Sequence, residues 1–169
     1  MIDEYVRLSL LGDVASLLMK VQDPQKFVED TEKNFQYVKY NPRKPIDRYG
    51  LSITSLDGGL SGMPDLDSLL EYNKENNTTY TEGDFRVPTP VYYDERIQGV
   101  IKPFEGLISR THILRLNPGG FFPSHRDSYN NFKYFRIIVP LVNTTPNQFY
   151  FILDDKIINN NMEEPIAEE

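Results

Sequence analysis

A chain of 169 residues with 39% hydrophobic and 12% aromatic content is long enough to bury a core and too apolar to be disordered. Its net charge of -7 argues against a general nucleic-acid binder, which needs a basic surface to displace counterions from phosphates. With no cysteine, disulfides, thiolate metal sites and cysteine nucleophiles are excluded; no apolar run approaches the length of a membrane span.

The start, MIDEYVRLSLLGD, is acidic where a secretion signal would be basic, so a cytoplasmic protein of a bacterium or a phage-infected host is expected. Residues 3–21 carry Leu10, Val14, Leu17, Leu18 and Val21 at helical spacing, a stripe expected to pack on a sheet. Asp23-Pro24 ends that helix, and Asp23 is placed to cap a second one running from Pro24 to about Asn34. From Tyr40 to Tyr49 a proline-marked stretch carries Arg43, Lys44 and Arg48, expected to be a solvated loop. Leu51 to Ser55 alternates with the period of a strand. Gly58, Gly59, Gly62 and Pro64 mark a long loop, and Asp65 to Glu75 reads as a short helix with Leu66, Leu69 and Leu70 on one side. Residues 76–94, rich in Asn, Thr, Pro and Tyr, read as irregular surface chain, and a weak helix is expected from Asp94 to about Phe104.

The second half has strand character. Thr111 to Leu116 is a strand, and Asn117-Pro118-Gly119-Gly120 is a turn that needs glycine at positive φ. Phe121 to Asp127 returns extended. Tyr134 to Leu141 is a third strand, Asn143 to Asn147 a turn and Gln148 to Leu153 a fourth strand. Short strands with turns between them suggest an antiparallel sandwich or barrel. The expected organisation is one domain over 1–158, with N-terminal helices at 1–34 and the β-core at 110–155. A polar acidic tail at 159–169 is expected to fray.

The chemistry concentrates at His125, one of only two histidines. Asp127 follows two residues later. In an extended segment residues i and i+2 point to one side, so an imidazole and a carboxylate would converge. That donor pair suits a first-row divalent ion, and one more histidine would complete a two-His-one-carboxylate set with open positions. Arg126 points the opposite way on an ideal strand. Ser124, adjacent to His125, faces away from it and is not expected to be activated as a nucleophile.

The segment from Arg115 through Asn117-Pro-Gly-Gly120 to His125-Arg-Asp127, followed by Phe135-Arg136-Ile-Ile-Val-Pro-Leu141, Asn143-Thr144-Thr145 and Phe149-Tyr150-Phe151, resembles the aspartyl/asparaginyl β-hydroxylase branch of the Fe(II)/2-oxoglutarate-dependent oxygenases. The match covers residues 110–155, with a looser one at Arg48-Tyr49-Gly50-Leu51-Ser52-Ile53. The resemblance implies a mainly β protein with N-terminal helices and a double-stranded β-helix (jelly-roll, cupin-like) core. It implies His125 and Asp127 as iron ligands and Arg136 as the cation for a carboxylate of 2-oxoglutarate, a role arginine fills bidentately. Arg48, Tyr92 and Tyr93 are candidates for the substrate rim. The activity implied is hydroxylation of an amino-acid side chain, free or in a peptide, coupled to oxidative decarboxylation of 2-oxoglutarate.

The family pattern also places a second metal-binding histidine on a later strand, and no histidine follows His125. His112 lies before the turn, where the pattern has no ligand, and reads as a hydrogen-bonded strand residue. Three readings stay open. The sequence is a piece of a longer oxygenase; or the third ligand comes from another chain or a tail carboxylate such as Glu163 or Glu164; or the fold serves as a non-catalytic binding or structural module, for instance in a viral assembly. A cupin-like binder of sugars or small acids, without iron, is a further alternative. Expected partners are a small-molecule or peptide substrate, and further copies of the chain or a larger assembly.

Overall fold

The structure is a computed structural model. It describes residues 21–123 and 136–143, and the backbone of 151–153, 156–159 and 162–165. Two compact units divide the chain, Met1–Phe121 and Phe122–Glu169. The fold is mixed helix and strand with small antiparallel sheets. Among the described residues the strands form no closed barrel.

In the first unit, helix α1 spans Pro24–Asn34, as its capping signals predict. The Asp23 carboxylate accepts from the Lys26 amide at 3.3 Å, and Pro24 takes the first turn, where no amide partner is needed. The helix buries Phe27 and Thr31, and the Thr31 hydroxyl meets the Tyr37 hydroxyl at 3.0 Å. The amphipathic helix expected over residues 3–21 lies almost wholly outside the described residues.

Strands β1 (Val38–Lys39), β2 (Arg48–Ser52) and β5 (His112–Leu116) form a three-stranded antiparallel sheet in the order β1-β2-β5. The register pairs Arg48 with Leu116, Gly50 with Leu114 and Ser52 with His112. Alternation puts these six on one face and Tyr49, Leu51, Ile113 and Arg115 on the other. The second face receives α1. There the Arg115 guanidinium sits over the rings of Tyr37 and Tyr49, at 5.0 and 5.1 Å, and reaches Glu32 of the helix at 3.2 Å.

The strand expected over Leu51 to Ser55 is split at Ile53. Its second piece is β3 (Thr54–Ser55), which pairs with β4 (Val87–Pro88) in a separate two-stranded sheet. Two buried threonines make the switch between sheets. The Thr89 hydroxyl donates to the Ser52 carbonyl at 2.8 Å, and the Thr54 hydroxyl donates to the Ser109 carbonyl at 2.6 Å. Backbone groups that would be orphaned at the kink are thereby paired.

Helix α2 spans Leu69–Asn76, shorter than expected, because Ser68 caps it by accepting from the Glu71 amide. Leu66 and Leu69 are buried, but Leu70 is 82% exposed, so the expected three-leucine stripe is a two-leucine one. Residues 76–94 are not a surface chain. Phe85, Thr89 and Val91 are fully buried, and 3-10 turns occupy Glu82–Asp84 and Pro90–Tyr93. Polar composition misled here because the buried positions are single and spaced by exposed neighbours. The weak helix expected after Asp94 is a 3-10 turn (Glu95–Ile97), then α3 (Gln98–Ile101), then another 3-10 turn (Lys102–Phe104).

In the second unit, residues 136–141 have no regular secondary structure, where a third strand was expected. Ile137 and Ile138 are exposed rather than buried. A β-branched run becomes a strand only where a partner ladder takes it up. Strands β6 (Phe151–Leu153), β7 (Lys156–Asn159) and β8 (Met162–Pro165) form an antiparallel meander. The acidic tail is therefore not wholly frayed: residues 162–165 pair with β7.

Candidate functional site

His125 and Asp127, with Ser124 and Arg126, lie outside the described residues. The elements leading to them are described. β5 runs antiparallel to β2 and ends in the expected turn, closed by the Gly120 amide donating to the Asn117 carbonyl at 2.7 Å, with Gly119 at φ 84°. The turn is fastened to the chain ahead of β2. The Asn117 amide donates to the Asp47 carbonyl at 3.1 Å, and the Asn117 side-chain amide donates to the Asp47 carboxylate at 3.0 Å. A Cβ at residue 120 would collide with the Asp47 carbonyl, so that close approach also requires glycine.

Arg48, expected in a solvated loop, is instead the first residue of β2 and 4% exposed. Burial pulls its pKa below the ordinary arginine value. Its guanidinium lies 5.0 Å from the Tyr40 ring centre, and the other side of the grouping is His112, whose ring centre is 5.6 Å from that of Tyr40. Arg48, Tyr40 and His112 thus form one cation-aromatic-imidazole cluster on the face of the sheet that also carries Ser52. Of the other two basic residues, Lys44 is exposed, while Arg43 is held between the carboxylates of Asp67 and Glu75.

A second polar group adjoins this face. The loop after β3 brings Asp65, Leu66 and Asp67 back over the sheet. Leu66 covers Gly50 so closely that a Cβ there would stand 2.8 Å from its methyl carbon. The Ser52 hydroxyl donates to Asp65 Oδ2 at 3.3 Å. Arg110, just ahead of β5, donates through Nε to the Asp65 carbonyl at 2.7 Å, through Nη2 to the Asp67 carbonyl, and through Nη1 to Glu82 at 2.9 Å. None of Asp65, Asp67, Glu82, Arg110 or Tyr40 was singled out from the sequence as a functional residue. The available signal was Asp-Leu-Asp after Met-Pro, with an arginine directly before the His112 strand.

Tyr92 and Tyr93 stand on the 3-10 turn Pro90–Tyr93, their rings edge to face at 5.4 Å, with Tyr93 68% exposed. Arg136 is exposed and lies in the second unit. Among the described residues no three His, Asp or Glu side chains converge in a metal-binding group. No described helix is long and apolar enough to cross a membrane.

Comparison with known proteins gives no family model that matches the chain, and no curated protein or solved structure that matches it.

Proposed function

We propose that the chain is an Fe(II)/2-oxoglutarate-dependent dioxygenase that hydroxylates an amino-acid side chain, on a jelly-roll core. The observation that carries this reading is the β5 strand and its Asn117–Gly120 turn. They supply the strand and glycine turn that the resemblance requires immediately before His125-Arg-Asp127. Arg48, on the strand that pairs with β5, is a candidate for the substrate rim.

In this reading His125 and Asp127 hold the iron, a donor pair whose chemistry fits Fe(II). Arg136 binds a carboxylate of 2-oxoglutarate. The third ligand comes from Glu163 or Glu164 of β8 or from another chain. Iron held by these residues would supply the chemistry by which 2-oxoglutarate and dioxygen give succinate, carbon dioxide and a hydroxylated C–H bond. The protein's own part is to hold the metal with open positions and to place the substrate.

The test loads the full chain anaerobically with Fe(II) and 2-oxoglutarate, follows the visible charge-transfer absorption, and then assays succinate after oxygen is admitted. Absorption and succinate that both disappear in His125→Ala and Asp127→Ala are expected. Metal titrations of Glu163→Gln and Glu164→Gln then show whether a tail carboxylate is the third ligand. Absence of absorption and succinate, with metal binding unchanged in His125→Ala, would overturn the reading and leave a non-catalytic module.

A further inference from the structure

Among the described residues of the first unit, Asp65 is a poorly compensated acid. It is 3% exposed, and its Oδ1 has no hydrogen-bond partner. Its other oxygen, Oδ2, accepts from the Ser52 hydroxyl at a long 3.3 Å, and the Leu56 backbone amide also bonds the carboxyl group. The nearest cation does not neutralise it. Arg110 spends its donors on the backbone carbonyls of Asp65 and Asp67 and on the Glu82 carboxylate. A buried carboxylate in such a place is costly, whereas the neutral acid needs one acceptor, and the Ser52 oxygen can serve.

We propose that Asp65 is a proton-operated latch: as the neutral acid it holds the 56–68 loop on β2, and on losing its proton it lets that loop lift from the sheet. The loop is otherwise fastened by Leu66 on Gly50, by the Asn41 amide on the Leu66 carbonyl at 2.7 Å, and by Arg43 and Arg110 at Asp67. What lifting would uncover is the sheet face bearing Arg48 and His112, so the latch would control access to that face.

Groups from every element packed against Asp65 face it. From β2 comes Ser52, and from the loop after β3 come the Leu56 backbone amide and the exposed Asp57; Arg110, ahead of β5, carries Glu82 with it, and His112 stands opposite Ser52 on β5. Burial is the largest influence on the Asp65 carboxyl and raises its pKa; Ser52, Leu56 and Arg110 pull it down, and Asp57 pushes it up. The closed state therefore keeps its proton to higher pH than the open state does. Stability of the closure is complete below the open-state pKa and is lost as pH rises through the closed-state pKa.

Hydrogen exchange on the full chain tests this. Protection of the Asn41 and Leu66 amides in the wild type should fall with rising pH by up to about tenfold per unit, the limit for release of one proton. Asp65→Asn should abolish that step and keep both amides protected, and Asp57→Asn and His112→Asn should retain it. A direct readout in the wild type is the carboxyl-carbon NMR titration of Asp65, which stands even if Asp65→Asn fails to fold. Titration at or below the ordinary aspartate range overturns the latch, as does a step that persists in Asp65→Asn or vanishes in either control variant.

Discussion

Arg110 and Glu82 form a buried ion pair, Nη1 to Oε1 at 2.9 Å, with side chains only 7% and 9% exposed. The arginine lies over the Phe85 ring at 5.4 Å and is joined to the Asp65 and Asp67 carbonyls, so one guanidinium ties together the 56–68 loop, the Glu82 turn and the chain entering β5. Removing one partner of such a pair takes a buried ion pair from the other. Arg110→Met is expected to lower unfolding free energy by about 3–5 kcal/mol in urea titrations. Arg110→Met with Glu82→Met should lose less than the sum of the single changes, because the pair is lost only once. Equal and additive losses would show that the two side chains do not interact.

The chain ahead of β5 depends on an arginine; the chain behind it depends on glycine. Gly119→Ala places a side chain at φ 84° and is expected to cost roughly 1 kcal/mol. Gly120→Ala drives a Cβ into the Asp47 carbonyl, a backbone atom that cannot rotate away, and should cost about 1–3 kcal/mol. The order of the two, read from thermal unfolding, is the test: a Gly120 variant milder than the Gly119 variant would mean that the turn is not seated on Asp47.

These two loci show which parts of the fold the sequence makes legible. Local signals were clear: Asp23-Pro24 at the start of α1, the Asn117–Gly120 turn, and the β5 strand each follow from chemistry within a few residues. The position of Arg48 was hidden, since a basic residue after a proline-rich stretch reads as solvated until β1 and β5 are known to flank it. Likewise Leu66 and Leu70 have the same residue type, and only the approach of Leu66 to Gly50 separates buried from exposed. The run Arg136 to Leu141 had strand composition and no strand, because pairing is a property of the partner as much as of the segment.

Acid sensitivity should trace to Arg96. Its guanidinium grips Asp94 through two nitrogens, at 2.6 and 2.8 Å, reaches Asp30 of α1 at 2.7 Å, and lies over Phe27. Hydrogen bonds from Lys26 first, and then Arg96, hold Asp30 below the ordinary aspartate pKa, and those from Arg96 do the same for Asp94. Groups with depressed pKa values add stability above the unfolded value, near about 3.9, and lose it as pH falls through the folded value. Arg96→Met should therefore flatten the decline in stability below that pH, and not merely shift the whole curve downward. A decline of unchanged steepness in the variant would assign acid unfolding to other carboxylates.

Arg48 offers the sharpest separation of structural from functional cost. Burial is the largest influence on its guanidinium and depresses its pKa. Arg48→Met preserves the length of the apolar stem beside Tyr40 while removing the charge. The result expected from the proposed function is a variant that unfolds in urea as cooperatively as the wild type, with succinate formation from 2-oxoglutarate reduced at least tenfold. Arg48→Lys, which keeps charge but not the planar fork, should recover only part of that loss. A drop of several kcal/mol in stability would make Arg48 a structural residue, and full activity in the Met variant would remove the guanidinium from the proposed dioxygenase site.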